Sequence, residues 1–173
     1  IAGNGLIGDQ NSPTLGSEEA TNGGCETWSD ASTLGSWNHS DGVATRQSGS
    51  RTGGSGTYYA DFTDNSSGAD KFKSPDFTAT NGKVYKFEFW YKNITSSTDV
   101  SIYDGSSLIL GYNSLSNTSG VWTKGTYYFT GAGNASRVRW RAGAGSATIS
   151  IDDVSIKGVN GNPGIMINMT ASD

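Results

Sequence analysis

Late in the chain, the run Ala147-Thr148-Ile149-Ser150-Ile151-Asp152-Asp153-Val154-Ser155-Ile156-Lys157-Gly158 changes phase in its middle. Alternate side chains of a β-strand share a face, so Ile149 and Ile151 point the same way. Val154 and Ile156 keep that spacing but fall in the opposite phase. For all four to meet one core, the strand must gain a residue between Ile151 and Val154. A β-bulge at Asp152-Asp153 does this and aims a carboxylate at whatever lies beside the strand.

The same period recurs along the chain. After the turn dipeptide Asn81-Gly82, Tyr85, Phe87, Phe89 and Tyr91 alternate with Lys86, Glu88, Trp90 and Lys92. The first set reads as core and the second as a wetter face. Residues 24–28 read as the first strand. In residues 58–62, Tyr58, Ala60 and Phe62 share a side. Residues 100–102 pair with 108–112 across Asp104-Gly105. Residues 121–130 turn Tyr127 and Phe129 inward, and Val138 and Trp140 alternate with Arg137, Arg139 and Arg141. Residues 37–40 and 43–47 read as a hairpin around Asp41-Gly42. No segment holds a helical apolar period. Roughly ten short strands separated by turn residues predict an all-β protein, a jelly-roll β-sandwich of two antiparallel sheets. Residues 1–21, rich in Gly, Asn and Ser, read as an N-terminal arm or linker, and 22–158 as the sandwich. Residues 159–173 read as a C-terminal linker ending in the short hydrophobic strand Ile165-Met166-Ile167-Asn168-Met169.

Composition narrows the class. A chain of 173 residues can bury one core. Aromatic residues at 11% argue against disorder despite 25 glycines and only 34% hydrophobic residues. A net charge of −4 argues against a nucleic-acid partner. No apolar run reaches the ~18 residues of a membrane-spanning helix. Cys25 is the one cysteine, so no internal disulfide forms, and it reads as a small buried hydrophobe. His39 is the one histidine, which rules out a multi-histidine metal site. With no Gly-x-Ser-x-Gly elbow, His39 reads as a polar loop residue. A chain opening on Ile1 reads as processed or as a piece of a longer one.

Four stretches occur in an order that resembles a family. They are Asn22-Gly23-Gly24-Cys25-Glu26, Gly82-Lys83-Val84-Tyr85-Lys86-Phe87-Glu88-Phe89-Trp90-Tyr91-Lys92, Trp122-Thr123-Lys124-Gly125-Thr126-Tyr127-Tyr128-Phe129, and the phase-changing run. Together they resemble CenC-type carbohydrate-binding modules, which are galactose-binding-domain-like β-sandwiches, over about residues 22–158. The resemblance implies a structural Ca²⁺ where the first and last strands meet, held by Glu26, Asp152 and Asp153. Carbonyls or hydroxyls of residues 47–56 would complete it, although that loop has no acidic residue. The alternative is that these acids are satisfied by backbone N–H groups and water. The resemblance also implies a glycan cleft on the concave face.

Sugars are bound by aromatic faces with polar side chains beside them. The wetter strand faces supply Trp90, Glu88, Lys86, Arg137, Arg139, Arg141, Tyr59 and Tyr103 as one ligand-binding set centred on Trp90. The alternative places Trp90 under a loop and leaves the arginines merely solvated. The arginines could instead favour a uronic-acid or sulfated glycan, because Arg pairs well with such groups. Trp37 and Tyr112 could line an edge-on site, and Trp122 and Trp140 are assigned to the core. Glu26, Glu88, Asp61, Asp104, Asp152 and Asp153 supply carboxylates, but no acid/base pair can be placed across a cleft, so no enzyme is expected. The expectation is a non-catalytic module binding a polysaccharide or glycan, in a secreted, extracellular or virion-surface protein. The alternative is a structural subunit of an extracellular fibre or virion surface, such as a phage tail or decoration protein, that self-assembles through its terminal arms.

Overall fold

The computed structural model describes residues 14–40, 42–49, 51, 53–54, 56–64, 71–93, 98–142 and 148–160. In chain order the strands are β1 (Thr14–Glu18), β2 (Trp28–Asp30), β3 (Thr33–Leu34), β4 (Asn38–Ser40), β5 (Gly42–Ser48), β6 (Tyr58–Asp64) and β7 (Lys71–Lys73). They continue with β8 (Phe77–Thr78), β9 (Val84–Asn93), β10 (Thr98–Asp104), β11 (Ser107–Leu115), β12 (Thr123–Thr130), β13 (Ala135–Ala142) and β14 (Thr148–Asn160). One sheet runs β12-β9-β14-β6-β5, with β1 also on β14. The other runs β11-β10-β13-β7-β4, with β8 on β13, and β2 and β3 form a small ribbon. The two main sheets are antiparallel throughout, as the alternating patterns predict. Among the described residues no helix is long and apolar enough to cross a membrane.

The phase change in β14 is a bulge. Asp152 lies opposite Trp90 and Ser155 opposite Glu88, so Asp153 and Val154 together oppose Phe89. Asp153 takes a φ of 47°, which turns the strand at that point. Ile149, Ile151, Val154 and Ile156 are all buried as a result.

Residues 18–23 are laid along this bulge. Glu19 N donates to Ile156 O at 2.9 Å and Val154 N donates to Gly23 O at 2.9 Å. The Glu18 carboxylate accepts from Ile156 N and Ser155 Oγ, both at 2.6 Å. A Cβ on Gly23 would lie 2.0 Å from Val154 O, so no side chain fits there. Part of the expected N-terminal arm is therefore sheet. β6 pairs with β14 only as far as Ile151. Beyond it, β1 takes up the open side of β14, from Thr14 opposite Asn160 to Glu18 opposite Lys157. Unpaired backbone groups inside a sheet are costly, which gives the chain a reason to close that gap. β14 also runs two residues past the expected boundary at Gly158. The expected strand at 165–169 lies outside the described residues.

Two local expectations change. Residues 21–25 form a turn rather than the first strand. Asn22 and Cys25 hold φ values of 51° and 55°, which a strand cannot accommodate. The expected hairpin at residues 41–42 is a crossover between layers: β4 pairs with β7 in one sheet and β5 with β6 in the other. Gly42 is needed because a Cβ there would lie 2.5 Å from the Phe62 ring.

Trp140 ties the layers together. It is fully buried and meets Trp37 at 5.7 Å between ring centroids, and Phe89 and Phe87 of the opposite sheet at 5.5 and 6.1 Å. Trp37 also stacks on Phe72 at 4.8 Å, so it belongs to the core and not to an edge-on site. Trp122 shows the reverse. It shares the parity of Lys124 and Thr126, faces outward and packs edge-on against Tyr59 at 5.3 Å. Trp140→Ala is expected to lower unfolding free energy by about 3–5 kcal/mol. Trp140→Phe should cost far less, because Trp140 Nε1 has no acceptor to lose. Urea unfolding of the two variants checks this.

Candidate functional site

The expected ligand set does not share one face. β9 and β13 lie in different sheets, so their outward side chains point away from each other. Trp90, Glu88, Lys86 and Tyr59 stand on the outside of the β9 sheet. Arg137, Arg139, Arg141 and Tyr103 stand on the outside of the β13 sheet, where Tyr103 of β10 lies opposite Arg137. Strand period tells which side of a strand a residue occupies, and says nothing about which layer the strand joins.

On the β9 face the groups satisfy one another. Trp90 points away from the buried Phe89, yet the Arg51 guanidinium sits 4.2 Å from its ring centroid. Arg51 Nε also reaches Asp153 Oδ2 at 2.6 Å. One face of Trp90 is thus occupied by an arginine that ties its loop to the β14 bulge. Glu88 lies between Lys124 at 2.7 Å and Lys86 at 3.0 Å. Burial raises the Glu88 pKa, but hydrogen bonds from the two lysines outweigh it and hold the carboxyl below its ordinary value. Lys92 lies over Tyr59 and Trp122, at 4.4 and 5.0 Å from their centroids.

The β13 face is arranged differently. Arg139 Cζ lies 3.8 Å from the Tyr103 ring centroid, and Arg141 Cζ lies 3.7 Å from that of Tyr112. The two phenol oxygens are 2.6 Å apart. Their hydrogen bond, then burial, raises the Tyr103 pKa against the pull of both arginines. Arg141 pairs with Asp99 at 3.3 Å and Arg137 with Asp76 at 3.0 Å. Arg139 lies opposite Ser101 on one side and Lys73 on the other. Arg137, Arg139 and Arg141 all bury their Nε atoms, and none of the three has an acceptor in hydrogen-bond geometry. At the sheet edge a depression of about 220 Å³ is lined by Asn38, Lys73, Asp76 and Arg137 among others. Tyr112, Lys73, Asp76 and Asp99 were missed as members of this face. The Lys71-Phe72-Lys73 alternation was a readable signal for Lys73. Tyr112 was not readable, because the β10–β11 register shifts on both sides of Ile102.

The third cluster is the clasp between the Asn22 turn and the bulge. Asn22 Oδ1 accepts from Glu26 N and Thr27 N at 3.1 and 3.0 Å, and its Nδ2 donates to Thr27 O at 2.9 Å. A Cβ on Gly24 would lie 3.9 Å from both Asp153 Oδ1 and Glu26 Cγ, so the two acids approach the same glycine. Glu26 Oε1 accepts from Thr57 N and Tyr58 N at 2.8 and 3.1 Å. Asp152 is completely buried. Its Oδ1 accepts from Asp153 N at 2.8 Å, while its Oδ2 meets no partner. Burial first, and the Asp153 charge second, push the Asp152 carboxyl up to about 6. Cys25 is buried beside it, and burial followed by the Asp152 charge raises its thiol pKa.

Among the described residues no three or more His, Cys, Asp or Glu side chains are gathered to hold a metal. The donor chemistry nonetheless suits a hard cation: carboxylate oxygens, one of them orphaned and buried.

No family model and no curated protein matches the chain. Solved structures do. The sandwich is similar to those of carbohydrate-binding modules. The CBM22-1 xylan-binding domain of Paenibacillus barcinonensis Xyn10C aligns at TM-score 0.58 and 11% identity, over 87% of this chain and 98% of that one. The N-terminal cellulose-binding domain of Cellulomonas fimi β-1,4-glucanase C aligns at 0.54 and 14%, over 76% and 94%. The enzymatically active domain of tailspike protein 4 from bacteriophage CBA120 aligns at 0.65 and 13%, over 82% of this chain and only 21% of that one. The arabinose-bound α-L-arabinofuranosidase MgGH51 aligns at 0.66 and 17%, and the chain spans 27% of it. At these identities the likeness establishes the fold.

Asp104 controls where the arginine strand begins. It follows Tyr103 and is 1% exposed. It accepts from Ala132 N and Asn134 N, both at 3.1 Å, and from Ser136 Oγ at 3.0 Å. Burial raises its pKa, but hydrogen bonds from the Asn134 side chain, Ser136 and the two backbone N–H groups outweigh it and hold the carboxyl below its ordinary value. A lowered folded-state pKa adds stability above the unfolded value, which is lost as pH falls through the folded one. Asp104→Asn should therefore destabilise by about 1.5–3 kcal/mol near pH 6. The gap to wild type should narrow once pH drops below about 4. Urea midpoints at the two pH values provide the check.

Proposed function

We propose that the chain is a non-catalytic glycan-binding module whose binding surface is the outer face of the β13 sheet. The observation that carries this reading is the Tyr103–Tyr112 pair lying under the Arg139 and Arg141 guanidinium groups. It sets aromatic rings, phenol hydroxyls and N–H donors side by side on one strand face. Guanidinium and phenol edges held on one face are hydrogen-bonding partners for the oxygen atoms of a sugar. Support comes from the shared fold, since two similar structures are named as xylan- and cellulose-binding domains. Trp90 is left out of the surface because the arginine over it is itself tied to the Asp153 carboxylate, whereas Arg139 over Tyr103 has no carboxylate among the described residues. On this reading the protein acts outside the cell or on a virion surface. A glycan array should yield a ligand whose affinity falls at least about tenfold in Tyr112→Ala, with the melting temperature kept within a few degrees. An array without any retained glycan would remove the reading.

A second reading, a structural subunit of a fibre or virion surface, draws support from the tailspike likeness. Sedimentation of the full chain separates the two. Assembled species favour the structural reading, and a monomer at all concentrations counts against it.

The clasp is the proposed home of a structural Ca²⁺ centred on Asp152; Asp153 and Glu26 would have to draw in to complete its ligand set, since the three acids are not gathered around one point in this structure. The unpartnered, buried Asp152 Oδ2 supports this, because an uncompensated buried carboxylate oxygen is costly. Calcium at about a hundred times its dissociation constant should stabilise by about 2.7 kcal/mol. That corresponds to roughly 5–10 °C in melting temperature for a domain of this size. Asp152→Asn should abolish the response and melt no lower than the parent in chelator. An identical melt with and without chelator, and no metal by elemental analysis, would eliminate the site.

A further inference from the structure

Resting on the glycan-binding reading above, we infer that the Arg137–Arg139–Arg141 face selects glycans carrying an oxyanion group, a uronate carboxylate or a sulfate, over neutral glycans. Three observations converge. First, the ring faces that would stack on a neutral sugar are covered. Arg139 lies 3.8 Å from the Tyr103 centroid and Arg141 lies 3.7 Å from the Tyr112 centroid. What the face still offers is guanidinium N–H edges and phenol hydroxyls, which read oxygen atoms and charge.

Second, the charges on the face are unbalanced. Of the three arginines, Arg137 pairs with Asp76 and Arg141 with Asp99, which leaves Arg139 without a carboxylate among the described residues. The patch is therefore positive on a chain whose net charge is −4. A local reversal of sign concentrates anions and steers their approach.

Third, Arg139 holds the central place without a counter-ion. It stands between Arg137 and Arg141 on β13, with Lys73 opposite it on β7. No described carboxylate pairs with it. A guanidinium crowded by like charges and without a counter-ion is completed by an anion. Its planar fork matches the two oxygens of a carboxylate. The depression lined by Lys73 and Arg137, at about 220 Å³, falls below the ~300–1,000 Å³ of a site for a drug-sized ligand. It suits a substituent and not a whole sugar chain.

Calorimetric titration of the full chain tests this against polygalacturonate, its methyl ester, dextran sulfate, neutral xylan and single-stranded DNA. The expected result is binding of polygalacturonate or dextran sulfate at least about tenfold tighter than of the ester and xylan, weakening with added salt. The two polyanions tell carboxylate from sulfate. Arg139→Gln should lower the acidic-polymer affinity by about tenfold or more, and Arg139→Lys, which keeps the charge but not the fork, should restore only part of it. Circular dichroism confirms that both variants fold. Equal binding of neutral and acidic polymers would overturn the selectivity and leave glycan binding standing. Binding of none of the polysaccharides would overturn both. DNA bound as tightly as polygalacturonate would show a general polyanion patch and overturn the inference.

Discussion

The extra residue in β14 is the constraint on which the sandwich depends. β14 lies inside its sheet between β9 and β6, so its two halves must both contribute to the core. Without the bulge at Asp153, either Ile149 and Ile151 or Val154 and Ile156 would face water. Burying two such side chains is worth roughly 3–6 kcal/mol, a large part of a domain's net stability. The same bulge draws residues 18–26 against the strand. Glu18 satisfies Ile156 N, and Gly23 satisfies Val154 N. It also leaves Asp152 buried with one oxygen unpartnered, so the main irregularity of the fold coincides with its most strained electrostatics.

Arginine on an aromatic ring is used twice, with different results. Arg51 on Trp90 continues to the Asp153 carboxylate, so ring, cation and anion form a closed set that ties a loop to the bulge. Arg139 on Tyr103 has no such anion. Both contacts gain cation–π attraction, of order 0.5–2 kcal/mol. Only the second leaves donor capacity unspent. Aromatic content alone would therefore point to Trp90, whereas charge accounting points to the other sheet.

Much of the architecture was legible because strand periodicity is local. The alternation of Tyr85, Phe87, Phe89 and Tyr91 with Lys86, Glu88, Trp90 and Lys92 marks which residues are buried, and the structure follows it residue by residue. The bulge was legible for the same reason, as a fault in a regular pattern. The hairpin at residues 41–42 misled because Asp-Gly signals a sharp change of direction without saying whether the partner strand is a sequence neighbour. Gly42 is there to clear Phe62, a contact twenty residues away in sequence. Trp37 and Trp122 exchanged roles because a tryptophan at a strand end has no alternation around it to fix its side.

The amino-acid sequence by itself determined the all-β class, the inward and outward residues of β9, β13 and β14, and the position of the bulge. Each of these follows from steric preferences among residues a few positions apart. Only the tertiary structure decided which layer each strand joins. That choice split Trp90 from the arginines, covered it with Arg51, brought Tyr112 against Tyr103, and placed β1 on the open side of β14. Layer choice is set by pairing between strands remote in sequence and by the packing of Trp140 between sheets, and neither leaves a mark in local periodicity.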